Sequence, residues 1–106
     1  MTSVPAAIQH FIDTTNAGDT EAFVDGFTAD AYLEDWGRGF HGHDGVRSWD
    51  RTDNIGRQSH FELLGAREDG EVWVVTLRVS GNGYNGTGDM RFTVDGDRIA
   101  RLIISA

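Results

Sequence analysis

The sequence predicts an α+β domain in which three helices pack on one side of a curved, mostly antiparallel sheet. Apolar residues recur at helical spacing near the N-terminus, and they alternate with polar residues in the second half of the chain. Asp-Gly pairs at 69–70 and 95–96 lie between alternating segments, which is typical of β-hairpins. Helices with one early strand between them, followed by a run of strands, give this fold class.

The first helix is predicted over about residues 5–16. Thr2 or Ser3 is expected to cap its start, and Gly18 suits its exit. One face of this helix carries apolar residues at helical spacing. These are Val4, Ile8, Phe11, Ile12 and Thr15.

The second helix is predicted to begin at Asp19, a favourable N-cap residue, and to end near Thr28. Glu21 would then lie near the positive end of the helix dipole. Phe23 and Phe27 are four residues apart, so we expect both to face the same core.

A first strand is predicted over residues 31–37, and a polar, glycine-rich loop follows over residues 37–42. A third helix is expected to begin at residue 43 or 44 and to end near residue 56. It carries Val46 and Trp49 three residues apart, which favours a common buried face.

The second half of the chain is predicted to be a meander of four strands. Their ranges are 59–67, 72–80, 87–94 and 98–105. In the second of these strands one face carries Trp73, Val75, Leu77 and Val79, and the other carries Val74, Thr76 and Arg78.

Length and composition restrict the classes of function. A chain of 106 residues fits one domain over residues 1–106. The net charge of −8, with no cluster of Lys or Arg, disfavours nucleic-acid binding. A small anionic substrate would need a local exception at Arg38, Arg47 or Arg51. The chain has no Cys, no signal-peptide pattern and no membrane-spanning run, so we expect a cytoplasmic protein that does not bind membranes.

Four segments carry a family resemblance. NAGDTEAF at 16–23 and FTADAYLED at 27–35 are the most specific, and GHDGVRSW at 42–49 and FTVDGDRI at 92–99 support them. The pattern resembles the SnoaL-like branch of the nuclear transport factor 2-like superfamily over nearly the whole chain. The resemblance implies a cone-shaped, ketosteroid isomerase-like fold with a pocket inside a bent sheet. It also implies a homodimer through the outer sheet face.

Asp35 is the predicted catalytic residue. In a strand, Leu33 and Asp35 share one face and Glu34 takes the other, so one carboxylate would lie on the apolar side of the sheet. A carboxylate between apolar walls can act as a base. The resemblance places Asp35 at the general-base position of the ketosteroid isomerases.

The same resemblance leaves the expected hydrogen-bond donors missing. Phe11 stands where those isomerases carry a Tyr, and Met90, or Gly88 in a slipped register, stands where they carry a protonated acid. Each missing donor would cost about 3 kcal/mol of transition-state stabilisation. Steroid isomerisation is therefore not expected.

Other side chains are predicted to shape the pocket. Trp49 matches a wall position and offers an indole N–H, Tyr84 could act as a lid near the mouth, and His60 would lie at the rim. Core packing for the aromatic residues and a surface position for His60 are alternatives that we favour. The predicted substrate-binding set is Phe11, Leu33, Trp49, His60, Trp73, Tyr84 and Met90.

Two other arrangements are weaker. The His-x-His pair at 41–43 has no third ligand at a recognisable spacing, so no metal site is predicted. Epoxide hydrolysis in this fold uses an Asp-Arg-Asp arrangement that holds a water, and Arg47, Arg51, Asp50 and Asp53 are candidates. Because Arg47 and Arg51 are one helical turn apart, we favour a solvated face with salt links to the two carboxylates.

Three functional hypotheses follow. The first is a cofactor-free isomerase or lyase that uses Asp35 as general acid or base on an apolar carbonyl substrate. The second is a non-catalytic module that binds a hydrophobic small molecule in the same pocket. The third is a dimerisation domain, for which Val74 and Thr76 on the outer face would matter more than Asp35.

Overall fold

Three α-helices pack against one face of a curved, six-stranded sheet in the computed structural model, which describes residues 3–105. The helices are α1 (Ala6–Ala17), α2 (Thr20–Asp25) and α3 (Gly42–Asp53), and a 3₁₀ turn (Ile55–Arg57) follows α3. The strands are β1 (Phe27–Asp35), β2 (Arg38–His41), β3 (His60–Asp69), β4 (Val72–Ser80), β5 (Gly86–Asp95) and β6 (Arg98–Ile104). The predicted α+β cone is confirmed.

The strand order in the sheet is β2-β1-β6-β5-β4-β3. Strands β3 to β6 form the predicted antiparallel meander, and β1 pairs parallel to β6. The parallel pair brings the end of β1 beside the end of β6, with Asp35 opposite Ile104. Within residues 3–105, no helix is both long enough and apolar enough to cross a bilayer.

The helix ends follow local sequence signals in part. Gly18 adopts the left-handed conformation, with φ of 68°, and terminates α1 as predicted. The carboxylate of Asp19 accepts a 3.2 Å hydrogen bond from the backbone N–H of Ala22 and caps α2 as predicted. The capping prediction for α1 is wrong for Ser3, because Pro5 is the N-cap residue and no side chain caps this helix. Thr2 lies outside the described residues.

Two predictions around the first strand are wrong. Helix α2 ends at Asp25 and β1 already begins at Phe27, so α2 does not continue to Thr28. Residues 38–41 form strand β2 instead of a loop. The reason is the turn at Trp36 and Gly37, whose φ angles of 52° and 84° are those of a two-residue hairpin. Such a turn sets residue 38 directly opposite residue 35.

The core centres on the ring of Phe11. Its centroid lies 5.1–6.3 Å from those of four other rings, Phe23, Phe27, Phe61 and Phe92. These rings come from α2, β1, β3 and β5, so one residue of α1 joins four elements. Offset and edge-to-face packing of this kind adds to the stabilisation from apolar burial.

The outer face of β4 differs from the expected pattern. Val75, Leu77 and Val79 are buried on the inner side, yet Val74 on the other face is only 2% exposed. Val74 is in register with Arg67 on β3 and Arg91 on β5. Residues in register share a face, so Arg67 and Arg91 lie on either side of Val74 on the outer face.

Candidate functional site

A cavity of about 360 Å³ lies between α3 and the concave side of the sheet. Its apolar wall consists of Trp49, Phe61, Val79, Met90 and Ile104. Its polar lining includes Asp35, Arg38, Asp53, Asn54, Ser59, Asp89 and Ser105. Apolar walls around a few convergent polar groups are typical of a small-molecule site.

Asp35 is the last residue of β1, and its side chain is 14% exposed. One carboxylate oxygen, Oδ2, accepts hydrogen bonds of 2.9 Å from the indole N–H of Trp49 and from the guanidinium of Arg38. Among the described residues, no donor bonds to the other oxygen, Oδ1. The carboxylate is therefore fixed through one oxygen, while the other remains available as an acceptor.

Arg38 lies between two carboxylates. Its Nη2 is 2.9 Å from Asp35 and 3.1 Å from Asp53 Oδ1, and its Nη1 is 3.4 Å from Asp53 Oδ2. The hairpin turn brings Arg38 opposite Asp35, and the last turn of α3 supplies Asp53. With two bonds at Nη2 and one at Nη1, the second N–H of Nη1 has no acceptor among the described residues.

Within this triad, the ion pair of Arg38 with Asp53 shifts the pKa values of both partners. Burial raises the pKa of Asp53, but hydrogen bonds from Arg38 and Thr52 outweigh it, so the pKa lies below its ordinary value. The hydrogen bond to Asp53 is in turn the main cause that raises the pKa of Arg38. The Arg38–Asp53 ion pair therefore stabilises the charged forms of both partners.

A second polar group lies behind the cavity wall. The fully buried Asp50 accepts hydrogen bonds at Oδ1 from Asn54 Nδ2, at 3.1 Å, and from the backbone N–H of Ile55, at 3.3 Å. Asn54 Nδ2 also donates to Thr15 Oγ1, at 3.0 Å. Asp50 Oδ2 has no partner at hydrogen-bonding distance among the described residues. Burial raises the pKa of this carboxyl group and outweighs the lowering effects of Asn54, Ile55 and the nearby Thr20 hydroxyl.

Four of the predicted site residues, Asp35, Trp49, Tyr84 and Met90, line the cavity. The ring of Tyr84 is 59% exposed. These residues come from β1, α3, β5 and the segment before β5. The structure therefore brings together a carboxylate, an indole donor, an apolar wall and an exposed aromatic ring.

Phe11 and Leu33 lie outside the cavity lining. Phe11 is fully enclosed in the core and stacks behind Phe61, with 5.3 Å between the ring centroids. Leu33 is buried two residues before Asp35 on β1, about 7 Å deeper along the strand. Phe11 therefore supports the wall from behind through Phe61, and Leu33 belongs to the core.

His60 and Trp73 also lie outside the cavity lining. His60 is exposed at the first position of β3. Trp73 is half-buried near the start of β4, six residues and about 20 Å along the strand from Val79, which does line the cavity. A position on the inner face of the sheet therefore does not by itself bring a residue to the cavity.

The predicted site set omits Arg38, Asn54 and Trp36, which line the cavity. It also omits Asp53, which appears only in the disfavoured Asp-Arg-Asp arrangement and which lines the cavity as well. The signal for Arg38 is its place three residues after Asp35, across a Trp-Gly turn that the sequence prediction assigns to the end of the first strand. The predicted salt links of the α3 arginines are wrong, because Asp53 pairs with Arg38. Arg47 instead pairs with Glu21 on α2.

The histidines of the His-x-His pair make contacts within the chain. His43 Nε2 is 2.8 Å from the backbone oxygen of Phe27. The ring of His41 lies 4.9 Å from that of Tyr32. Within residues 3–105, no group of three or more His, Asp or Glu side chains is arranged to hold a metal ion.

Comparison with known proteins supports the resemblance. The family model of the SnoaL-like domain matches residues 8–102. A candidate polyketide cyclase from Sinorhizobium meliloti is similar over 94% of both chains, with 29% identity and a TM-score of 0.84. No curated protein matches the chain.

Two more distant structures share the fold. A candidate ketosteroid isomerase from Kribbella flavida is 15% identical over 92% of this chain and 73% of its own, with a TM-score of 0.76. A Mycobacterium tuberculosis protein in complex with estradiol-17β-hemisuccinate is 14% identical over 92% of this chain and 88% of its own, with a TM-score of 0.77. At these identities the likeness concerns the fold alone.

Proposed function

We propose that this chain, which belongs to the SnoaL-like family, binds an apolar carbonyl compound in the cavity and acts on it as a cofactor-free isomerase or lyase. Asp35 is the general base or acid. The observation that carries this proposal is the asymmetric environment of its carboxylate. Trp49 and Arg38 hold Oδ2, no described residue donates to Oδ1, and Asp35 lines a cavity with an apolar wall.

The proposed reaction begins with proton transfer from carbon. Asp35 Oδ1 takes a proton from the C–H beside the substrate carbonyl, and the electron pair moves onto the carbonyl oxygen to form an enolate. The enolate then takes a proton back at another carbon, which is isomerisation, or expels a leaving group, which is elimination. Neither outcome needs an oxidant, a reductant or a metal.

Arg38 is the proposed stabiliser of the enolate oxygen. Among the described residues that line the cavity it is the one cation, and one N–H of Nη1 is free. It would supply positive charge that Phe11 and Met90 cannot. A preorganised donor of this kind contributes about 3–4 kcal/mol to transition-state stabilisation.

The lining of the cavity and the ligand of a fold relative both favour an apolar ligand. The cavity of about 360 Å³ has a wall of aromatic and aliphatic side chains. The fold relative from Mycobacterium tuberculosis was solved with an estradiol derivative. These observations favour a flat, hydrophobic molecule of at most a few rings.

Proton exchange at carbon tests the proposal without knowledge of the natural substrate. A panel of apolar ketones, such as 2-tetralone, is incubated with the protein in D₂O, and loss of the α-proton signal is followed by NMR. Asp35→Asn should slow the exchange roughly 10²- to 10⁴-fold. Asp97→Asn, an exposed carboxylate in the β5–β6 turn, is the matched control. Equal rates for the wild type and Asp35→Asn would exclude Asp35 as the base.

The Asp35–Arg38–Asp53 triad favours epoxide hydrolysis as a second candidate reaction. Because its pKa is lowered, Asp53 would be the base that takes a proton from water while the water oxygen attacks the epoxide carbon. Asp35 in its protonated form would donate its proton to the epoxide oxygen as the C–O bond breaks. Incubation of styrene oxide in ¹⁸O-labelled water would then give a labelled diol. Hydrolysis needs both carboxylates, so Asp53→Asn should abolish it. Ketone exchange should fall only modestly in this variant.

A non-catalytic binder is the alternative from another class. In that case the wild type and Asp35→Asn bind the same apolar probes, and neither catalyses exchange nor hydrolysis. Binding and turnover therefore have to be measured on the same samples.

A homodimer through the outer sheet face is also proposed. Two polar pairs lie on that face: Thr76 donates a 2.6 Å hydrogen bond to Asp89, and Arg78 pairs with Glu62 at 2.8 Å. Sedimentation equilibrium measures the association directly, and a monomer at 100 µM would exclude a stable dimer. The single domain over residues 1–106 and the cytoplasmic location stay predictions.

A further inference from the structure

Asn54 follows the last residue of α3 and lines the cavity, although the residue is only 1% exposed. Its side-chain nitrogen donates both hydrogens inside the protein, to Asp50 Oδ1 at 3.1 Å and to Thr15 Oγ1 at 3.0 Å. The amide therefore has no donor left for a ligand. Its remaining polar atom is the acceptor Oδ1.

The oxygen Oδ1 of Asn54 retains access to open space. No described residue donates a hydrogen bond to it. Among the described residues, Asp50 Oδ2 is the one completely buried side-chain polar atom without a partner. Asn54 Oδ1 is not enclosed in that way, and the open space that the residue meets is the cavity.

Asp50 fixes which end of the amide faces the cavity. If the amide of Asn54 were reversed, its oxygen would lie against Asp50 Oδ1, which already accepts from the N–H of Ile55. Two acceptors would then meet without a proton between them. A proton taken up by Asp50 would reside on the unpartnered Oδ2, so Oδ1 stays an acceptor in either protonation state.

We propose that Asn54 Oδ1 is the acceptor of a subsite that binds a hydroxyl group of the ligand, with Asp50 as the residue that positions it. This deepens the function proposed above and rests on the same cavity. The expected substrate is then an apolar carbonyl compound that also carries a hydroxyl group. A ligand without the hydroxyl would desolvate this acceptor and leave it unpaired, which costs roughly tenfold to a hundredfold in affinity.

Binding of two matched probes tests the subsite. The probes are 2-naphthol and 2-methoxynaphthalene, which share the rings and the oxygen but differ in the donor hydrogen. Calorimetry on the wild type should show 2-naphthol bound about tenfold or more tightly. Asn54→Leu, which keeps the volume and removes the acceptor, should bring the ratio of the two dissociation constants close to one.

Variants of Asp50 separate positioning from simple support of the fold. Asp50→Leu removes the acceptor that orients Asn54 and should also abolish the preference for the hydroxyl. Asp50→Asn keeps an oxygen that accepts from Asn54 and Ile55, so it should retain the preference. Loss of the preference in both variants to the same degree would contradict a positioning role.

Failure of the hydroxyl subsite can be distinguished from failure of the catalytic proposal. Asp35→Asn should keep the preference for 2-naphthol, because the preference depends on Asn54. If the leucine variants do not fold, the ¹³C shift of the Asn54 side-chain carbonyl in the wild type decides. It should move on addition of 2-naphthol and stay in place with 2-methoxynaphthalene. Equal affinities of the wild type for both probes, no binding of 2-naphthol, or a preference that survives in Asn54→Leu would overturn the subsite.

Discussion

The indole N–H of Trp49 donates a 2.9 Å hydrogen bond to Oδ2 of Asp35 and so joins helix α3 to the end of strand β1. Trp49 is itself 3% exposed and stacks on Phe23, with 6.2 Å between the ring centroids. Because the core fixes the ring of Trp49, this ring in turn fixes the position of the Asp35 carboxylate. This relationship fixes Oδ2 and leaves Oδ1 without a donor among the described residues, in a residue that lines the cavity.

Trp49→Phe should remove the hydrogen bond and keep an aromatic ring in the wall. A lost hydrogen bond to a charged group and the smaller ring should lower the free energy of unfolding by about 1–3 kcal/mol. Because Asp35 is then held by Arg38 alone, the rate of ketone exchange should fall about tenfold or more. Urea unfolding and the NMR exchange assay measure the two effects.

Trp73→Phe is the matched control for Trp49→Phe. It makes the same chemical change in a half-buried residue outside the cavity lining. It should lower stability modestly and leave the exchange rate unchanged. A rate loss as large as that of Trp49→Phe would mean that Trp49 affects the rate only through general stability.

Trp36 lines the cavity, and its backbone has a conformation that is unfavourable for this residue type. Its φ of 52° lies in the left-handed region, the residue is 65% exposed, and it lines the cavity. Trp36→Asn should raise the free energy of unfolding by about 0.5–1 kcal/mol, because Asn-Gly suits this turn. The affinity for 2-naphthol should fall severalfold, since an aromatic surface is lost.

Trp36→Ala separates the two effects of that substitution. Alanine removes the ring but does not share the tolerance of asparagine for positive φ. The affinity should therefore fall as in Trp36→Asn, without the gain in stability. Unchanged affinity in both variants would show that the Trp36 ring does not contact the probe.

The elements that were predicted correctly have local causes. The αL glycine at 18, the capping carboxylate at 19 and the Asp-Gly turns each depend on residues within a few positions. Strand β2 was missed because Arg38–His41 is short and contains a glycine. Its pairing comes from a turn in which Trp36 adopts a conformation that its residue type disfavours.

The candidate site was predicted only in part. Strand periodicity predicts which face of the sheet a residue lies on, but it does not predict how far along the strand the cavity lies. Asp35 and Leu33 share the inner face of β1, but only Asp35 reaches the cavity. Arg38 and Asp53 are 15 residues apart and meet only through the folded arrangement of β2 and α3. No local pattern encodes such a pairing.

Phe11→Tyr tests whether this ring belongs to the core or to the cavity wall. Four rings surround Phe11, so an added hydroxyl would lack a partner and should lower the free energy of unfolding by about 1–3 kcal/mol. The exchange rate should not rise. Phe61→Tyr is the control, because Phe61 lines the cavity and its hydroxyl could reach open space at a smaller cost. Faster exchange in Phe11→Tyr, without loss of stability, would show that position 11 faces the substrate.

Asp50→Asn should change how stability depends on pH. Burial raises the pKa of Asp50 above its ordinary value of 3.8, so the folded state favours the protonated form. The stability from this group is full below the unfolded pKa and is lost as pH rises through the folded pKa. Asparagine resembles the protonated form and does not titrate. Urea unfolding should therefore show that the stability of Asp50→Asn relative to the wild type increases from pH 3.5 to pH 7. The difference in the free energy of unfolding between the two proteins changes by at most about 1.4 kcal/mol per pH unit.

Asp53→Asn is the control with the opposite sign. Although burial raises the pKa of Asp53, hydrogen bonds from Arg38 and Thr52 lower it overall. Its stabilisation is therefore present above the unfolded pKa and is lost as pH falls through the folded pKa. Asp53→Asn should be less stable than the wild type at pH 7, and the difference should shrink on acidification. If both variants changed with pH in the same direction, the two carboxylates could not have opposite pKa shifts, and the buried Asp50 would not carry the penalty that we assign to it.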